Sequence, residues 1–322
     1  MSTSQKKVSA GSTRDGFGDG LVEAAKENEQ IVGLCADLTE STRMLQFSEM
    51  FPERFVQVGV AEENMVGLAA GMALSGKIPF VSSYAAFSPA NSWGPIRSTV
   101  CYSRLNVKFH GGHSGLSTGP DGATHQALED IALMRVLPHM TVVVPADKVQ
   151  AFEATKAIAK ELGPCYIRTS KFEVTEVTSG HNFKLGKAQV LSKGKDVTIV
   201  ACGIMVERAV EAAEKMSGEI SATVINMHTI KPLDVKTLMT HVSKTQAIVV
   251  AEDHQKAGGL GSAIAEALVL EDVQVFMEFV AVDDSFGESG TPEEVLEKYG
   301  LTTDHIITAV EKSISRKKHH NR

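Results

Sequence analysis

Short apolar runs rich in valine and isoleucine recur along this chain, and a helix-length segment separates most of them. The first series is Ile31-Val-Gly-Leu-Cys-Ala36, Phe55-Val-Gln-Val58, Ile78-Pro-Phe-Val-Ser82, Asn106-Val-Lys-Phe-His110, Met140-Thr-Val-Val-Val144 and Cys165-Tyr-Ile-Arg168. Such runs predict strands buried on both faces, and their alternation with helices predicts a parallel sheet covered on both sides. Helices are expected at about 14–28 behind a Ser12 or Thr13 cap, across the Val58–Leu74 stretch to about Ser75, over a small-residue stretch reaching Arg97 and Tyr102, at about 125–136 and at 147–162. A second alternation begins near Lys187. Its strands are Val197-Thr-Ile-Val-Ala201, Ala222-Thr-Val-Ile-Asn226, Ala247-Ile-Val-Val-Ala251 and one within 273–282, with helices near 205–216, 234–243, after Gly261, at 292–299 and at 304–315. The fold expected is α/β, as two doubly wound α/β domains at 13–170 and, smaller, at 187–315. A polar linker at 171–186 joins them, a disordered N-terminus covers 1–12, and a frayed basic tail covers 316–322.

A formal net charge of -7 argues against a nucleic-acid partner. No apolar run is long enough for a membrane span, and the polar start Met1-Ser-Thr-Ser-Gln-Lys-Lys7 has no signal-peptide core. Cys35, Cys101, Cys165 and Cys202 lack metal spacing and read as buried free thiols in a reducing cytoplasm.

Ligands of parallel sheets sit at the carboxyl ends of the strands. Asp37, Glu62, Ser82-Ser83-Tyr84, the loop Gly111–Gly122 and Arg168 each follow a strand and converge on that edge. Glu62 and Glu63 open a helix of little bulk, with Gly67, Ala69, Ala70, Gly71 and Ala73. They either complement the helix dipole or face something that approaches the backbone closely. The most specific stretch is His113-Ser-Gly-Leu-Ser-Thr-Gly-Pro-Asp-Gly-Ala-Thr-His-Gln126. A structural turn explains its glycines. It does not explain two imidazoles and a carboxylate, His113, Asp121 and His125, in one turn, which suit a polar ligand. The spacing is not that of a zinc site.

These motifs carry a resemblance. His113…Asp121-Gly-Ala-Thr-His125-Gln resembles the His…Asp-Gly-Pro-Thr-His-Gln stretch of the transketolase family, with the same spacing. Gly59-Val-Ala-Glu62-Glu-Asn-Met65, Cys35-Ala-Asp-Leu-Thr-Glu-Ser41 and Phe286-Gly-Glu-Ser-Gly-Thr-Pro-Glu-Glu-Val-Leu296 resemble three further family motifs in the same order. The resemblance covers nearly all of residues 12–310 and corresponds to the C-terminal part of a full transketolase. It implies a pyrimidine-binding thiamine-enzyme domain and a smaller transketolase C-terminal-like domain, the second subunit of a split transketolase. Gly18-Asp-Gly20 lies in a helix-like segment and reads as a coincidental match to the diphosphate loop of thiamine enzymes, while Gly258-Gly-Leu-Gly261 reads as strand-to-helix packing rather than a phosphate cradle.

The resemblance implies reversible transfer of a two-carbon ketol unit from a ketose phosphate to an aldose phosphate, in the pentose phosphate pathway. It implies thiamine diphosphate with Mg²⁺ or Ca²⁺, whose ligands would lie on a diphosphate-binding partner subunit and not on this chain. A dimer of this chain within a heterotetramer would follow. Glu62 takes the position of the carboxyl that shares a proton with N1′ of the aminopyrimidine, where low-dielectric surroundings would favour it. Glu63 stands where the family often has His and reads as secondary. Tyr84 and Phe87 align with aromatics lining the aminopyrimidine ring, although a core aromatic on an amphipathic helix remains open for Phe87. Arg14, Ser41, His113 and Arg168 align with contacts to the substrate phosphate, Arg14 also being readable as a surface charge. Arg168-Thr-Ser-Lys171 departs from the family's Ser-Arg-Gln. Asp121 would meet a sugar hydroxyl, and His125 the reacting end. The rivals are a deoxyxylulose-phosphate-synthase-like enzyme, a 2-oxo acid dehydrogenase β-like subunit, and a non-catalytic paralogue; His113 and Phe286-Gly-Glu-Ser289 favour transketolase over the first two, and the intact Glu62, Asp121 and His125 argue against the third.

Overall fold

The computed structural model describes residues 9–320. Strand β1 (Ser9–Ser12) leads into the helix Thr13–Glu27. Six parallel strands follow: β2 (Ile31–Cys35), β3 (Phe55–Gln57), β4 (Ile78–Tyr84), β5 (Lys108–Gly112), β6 (Thr141–Val143) and β7 (Cys165–Arg168). Then come β8 (Glu173–Thr175), β9 (Gln189–Ser192), β10 (Val197–Ala201), β11 (Ala222–Asn226), β12 (Thr229–Lys231), β13 (Ala247–Gln255) and β14 (Phe276–Val282). The first sheet runs β12-β6-β7-β5-β4-β2-β3 and the second β14-β13-β10-β11-β9. All residues of β2, β5, β7, β10 and β11 are buried, as strands covered on both faces require.

Two α/β layers are present, as the alternation predicts, but the parts between them differ. The expected disordered N-terminus and the expected linker pair with each other: Ser12 stands opposite Glu173 and Ser9 opposite Thr175 in an antiparallel ribbon. Residues 1–8 lie outside the described residues. Strand β12 leaves the second half of the chain and adds antiparallel to β6 of the first sheet. One apolar core therefore joins Val142 and Val144 of the first half to Ile225, Met227, Val250 and Leu260 of the second.

The tail does not fray at 316. The helix Thr303–His320 continues through it. Arg316 Nη1 donates to Glu278 Oε1 at 2.6 Å, and Lys317 Nζ to the Thr245 carbonyl at 2.7 Å. Residues 321 and 322 are outside the described residues. The expected small-residue helix toward Tyr102 is also replaced. Turns occupy most of 85–92, and regular helical structure starts only with Trp93–Pro95 and Ile96–Cys101. Pro89 and Pro95 both lack the N–H that a helix interior needs.

Gly16, Gly18 and Gly20 lie inside the first helix and serve close approach. A Cβ on Gly16 would lie 2.1 Å from the Lys148 carbonyl oxygen, and one on Gly20 2.7 Å from that of Phe152. The helix Lys148–Lys160 thus crosses against bare backbone at Gly16 and Gly20, while a Cβ on Gly18 would lie 2.7 Å from the Arg43 carbonyl oxygen. Gly16→Ala is expected to destabilise the chain by about 1–3 kcal/mol through overpacking against rigid backbone. Urea unfolding midpoints check it, and an unchanged midpoint would refute the packing account.

Candidate functional site

The register of the first sheet sets the site. Tyr84, last in β4, pairs with Gly112, last in β5, so the chain leaves both strands at one level. The next residue, His113, has φ 52, a left-handed conformation uncommon for a non-glycine residue. It turns the imidazole onto Tyr84, the rings stacking with centroids 3.8 Å apart. Phe87, in the turn after β4, stacks on Tyr84 at 5.9 Å. His125 meets Phe87 edge-on at 5.2 Å and Tyr84 at 6.2 Å. Four rings named from the sequence thus form one cluster at the carboxyl edge, and Phe87 is not a core aromatic on a helix.

Arg14 reaches the same point from the first turn of its helix. Its Nη1 donates to the Ser41 carbonyl at 3.0 Å and to His113 Nε2 at 3.2 Å. Arginine can only donate, so Nε2 accepts and the proton of a neutral ring sits on Nδ1. Among the described residues that buried Nδ1 has no partner, and neither has the buried Arg14 Nε. Two buried donors without acceptors are a cost that an anion would relieve. Ser41 contributes its carbonyl to this contact, not its hydroxyl.

The charge around His113 is positive. Burial, then the charges of Arg14, Lys171 and Arg43, push its pKa down to about 3. Arg14 itself is pulled below the usual guanidinium value by burial and then by Arg43. Arg43 is held by Asp15 at 2.6 Å, and Lys171 by Asp121 at 3.2 Å. Asp121 is exposed at the rim through this ion pair.

Arg168, expected at the substrate phosphate, lies outside this cluster. As the last residue of a fully buried strand it points inward. Its Nε donates to both Asp130 oxygens at 3.1 and 2.9 Å, and one Nη to the carbonyls of Ala127 at 3.2 Å and Asp253 at 2.7 Å. Lys171, three residues on and outside the strand, is the cation near His113. The departure from Ser-Arg-Gln was the signal for it. Arg43 had no signal beyond its place in a polar loop.

Glu62 begins the helix Glu62–Leu74, which follows β3, and β3 lies two strands from β4 in the sheet. It is half-buried and has no hydrogen-bond partner among the described residues, while Glu63 is exposed. The dry surroundings expected for Glu62 are not found among the described residues: Val60, Leu68 and Leu74 are exposed, and nothing described lies within 4 Å of a Cβ placed on Gly67 or Gly71. Gly258–Gly261 is no anion cradle. Leu260 N and Gly261 N already donate to the buried carboxylate of Glu252, at 2.7 and 2.8 Å. Among the described residues, no three His, Cys, Asp or Glu gather as metal ligands, and no helix is long and apolar enough to cross a membrane. All four cysteines are free and buried.

The sequence matches the transketolase pyrimidine-binding domain over residues 9–176 and the transketolase C-terminal domain over residues 186–306. It is 42% identical over 306 residues to the 6-deoxy-6-sulfo-D-fructose transketolase subunit SqwH of Clostridium sp. (strain MSTE9), covering 94% of this chain and 95% of that protein. It is 35% identical over 302 residues to an apulose-4-phosphate transketolase subunit of Phocaeicola vulgatus, covering 92% and 96%. A solved split-gene transketolase, described as an inactive β4 tetramer, superposes with a TM-score of 0.88 at 47% identity, over 94% of this chain and 98% of that one.

A histidine with its pKa pushed from 6.5 to about 3 binds its proton less readily folded than unfolded. Its contribution to stability is therefore full above pH 6.5 and falls as the pH drops toward 3. Imidazole nitrogen shifts are expected to show His113 neutral at about pH 5, and His113→Asn to flatten part of the acid loss of stability. A charged ring at that pH would overturn the description of the cluster.

Proposed function

The chain belongs to the transketolase family as its C-terminal part, and on that premise we propose that it is the pyrimidine-binding subunit of a split transketolase. The reaction proposed is reversible transfer of a two-carbon ketol unit between sugars that end in an anionic group, phosphate first among them. The observation that carries this reading is the Arg14–His113 pair with its two unpartnered buried donors, set beside Tyr84, Phe87 and His125.

The residues suit thiamine diphosphate at its pyrimidine end. Glu62 offers a half-buried carboxyl without a partner among the described residues, and Phe87 a half-buried ring face. When bound, the cofactor supplies a stabilised carbanion for breaking and forming a carbon–carbon bond. Glu62 would share a proton with N1′ of the aminopyrimidine, and Phe87 and Tyr84 would line the ring. The diphosphate and its Mg²⁺ or Ca²⁺ would be held by a separate diphosphate-binding subunit.

At the other end of the site Arg14 and neutral His113 would donate to the substrate's terminal anion, with Lys171 taking the place first given to Arg168. Lys171 would exchange Asp121 for the ligand, freeing that carboxylate for a sugar hydroxyl. His125, edge-on to Phe87, would stand near the reacting carbon. A second copy of this chain would cover the open apolar face of the Glu62–Leu74 helix, giving a dimer within a heterotetramer. That the similar split-gene subunit forms a tetramer supports self-association of this kind.

The purified chain alone is expected to transfer no ketol unit, and to do so once mixed with a diphosphate-binding subunit, thiamine diphosphate and Mg²⁺. Robust turnover without a partner would sink the split-subunit reading. In the reconstituted enzyme Glu62→Gln is expected to lower kcat by about a thousandfold or more with the melting temperature unchanged. A near-normal rate would remove Glu62 from the role. Lys171→Ala is expected to raise KM for the anionic sugar about tenfold with kcat little changed. Arg168→Lys should instead lower stability, and the reverse pattern would restore Arg168 to the site.

A further inference from the structure

Three of the site's side chains, His113, Asp121 and His125, ride on a single excursion of the chain between β5 and the helix Asp130–Arg135. Its base is closed on itself: Gly115 N donates to the Ala127 carbonyl at 2.8 Å, and Ser114 bridges to Ala127. Part of its remaining support comes from the first domain, where Ser114 N and Oγ donate to the Thr169 carbonyl at 3.1 and 2.9 Å and the Ser117 and Ser170 hydroxyls meet at 2.7 Å, and part comes from the other domain. Leu116 N donates to Asp253 Oδ1 at 3.0 Å. Gln255 N donates to the Leu128 carbonyl at 2.7 Å. Arg168 spans the Ala127 and Asp253 carbonyls.

Asp253 stands where the loop has no latitude. Gly115 has φ 76, and a Cβ there would lie 1.8 Å from Asp253 Oδ2. Backbone conformation and space both demand glycine, and the space is taken by this carboxylate. Asp253 is buried near the end of β13, and its Oδ2 accepts no hydrogen bond from the described residues. A buried, half-satisfied carboxylate is costly to keep. Its one side-chain bond goes to the backbone of the loop that carries the site.

We propose that Asp253, in the C-terminal domain, is a positioning residue for the substrate loop: by holding Gly115-Leu116 in a turn only glycine can make, it sets where His113 and His125 stand against Tyr84. The smaller domain thus acts on the site without contributing a side chain to the ligand. The loop is gripped at its far side as well, since Gln126 Nε2 donates to the Glu288 carbonyl at 2.9 Å and a Cβ on Gly122 would lie 2.6 Å from Ser289 Oγ. This gives Phe286-Gly-Glu-Ser289 the same supporting task.

Amide hydrogen exchange on the chain alone tests the proposal. Asp253→Ala should raise exchange across 114–128 about tenfold or more while β10 and β11 stay protected. Asp253→Asn, which keeps an oxygen for Leu116 N, should return most of the protection. Asp253→Ser, too short to reach, replaces Asp253→Ala if that variant does not fold. In the reconstituted enzyme Asp253→Ala should raise KM for the sugar while thiamine diphosphate affinity holds within about twofold. Unchanged exchange in the loop overturns the proposal, as does an equal rise in β10 and β11, which marks a merely structural residue. The kinetic arm rests on the ketol-transfer reading of the site and the exchange arm does not. If the wild-type pair transfers nothing while the loop loosens as expected, the functional reading falls and the positioning role stands.

Discussion

Arg168 is a permanent charge buried between two domains, and the way it is neutralised fixes how they meet. An unpaired guanidinium at such depth would cost several kcal/mol. Burial alone would pull it down from its usual value, but Asp130 and then Asp253 outweigh that and hold it higher still. Its donors are spread over a helix of the first domain, the end of the loop that carries His113 and His125, and the end of β13. Tyr166, beside it on β7, gives its hydroxyl to the same Asp130 at 2.5 Å. A shift of the loop or of β13 would take from Arg168 one of the two carbonyls that its Nη2 donates to. The relation between the first sheet, the loop and the C-terminal domain is therefore specified as a unit.

The neighbouring residues of β13 repeat the logic with other partners. Glu252 is buried and its pKa is raised to about 7, burial outweighing its two backbone hydrogen bonds. Those bonds come from Leu260 and Gly261, so the chain's own carboxylate holds the helix end where an external anion would otherwise bind. His254, next to Asp253, accepts from Ala132 N at 3.3 Å and is held down to about 4 by burial, which keeps it a neutral acceptor. Glu252, Asp253 and His254 thus bind respectively a helix of their own domain, the loop that carries His113 and His125, and a helix of the other domain. A polar run at a strand end, unremarkable by composition, is the joint of the molecule.

Much of this was open to the sequence and some was not, for physical reasons. Buried parallel strands announce themselves because both faces need apolar residues, so β2, β4, β5, β7, β10, β11 and β13 are plain in the chain. Strands β1, β8 and β12 are short and partly polar, and they exist through pairing with distant segments that no local pattern encodes. The site motifs were legible as residue types at fixed spacing, and Tyr84, His113, Phe87 and His125 do meet. What spacing did not give was direction. Arg168 and Lys171 are three residues apart, and only the burial of β7 tells which one faces the core. The Arg316 tail looked like solvated charge because its partners, Glu278 and Thr245, lie far away in sequence.

The Glu62 helix shows the same limit from the other side. Met65, Val66, Ala69 and Ala70 bury one face of it on this chain's core. Gly67, Leu68, Gly71 and Leu74 form the opposite face, and it is bare. A helix that is apolar all round is one that expects cover all round. Glycines on the uncovered face permit backbone approach that larger residues would block, as Gly16 and Gly20 do at the crossing of two helices within the chain. There the second helix is present and the glycines are explained by contact. Here, among the described residues, nothing lies within 4 Å of a Cβ placed on Gly67 or Gly71, so the face is open to close approach. The half-buried carboxyl of Glu62 sits at the start of that helix. The stacking and the positive charge around His113, by contrast, are built within one chain.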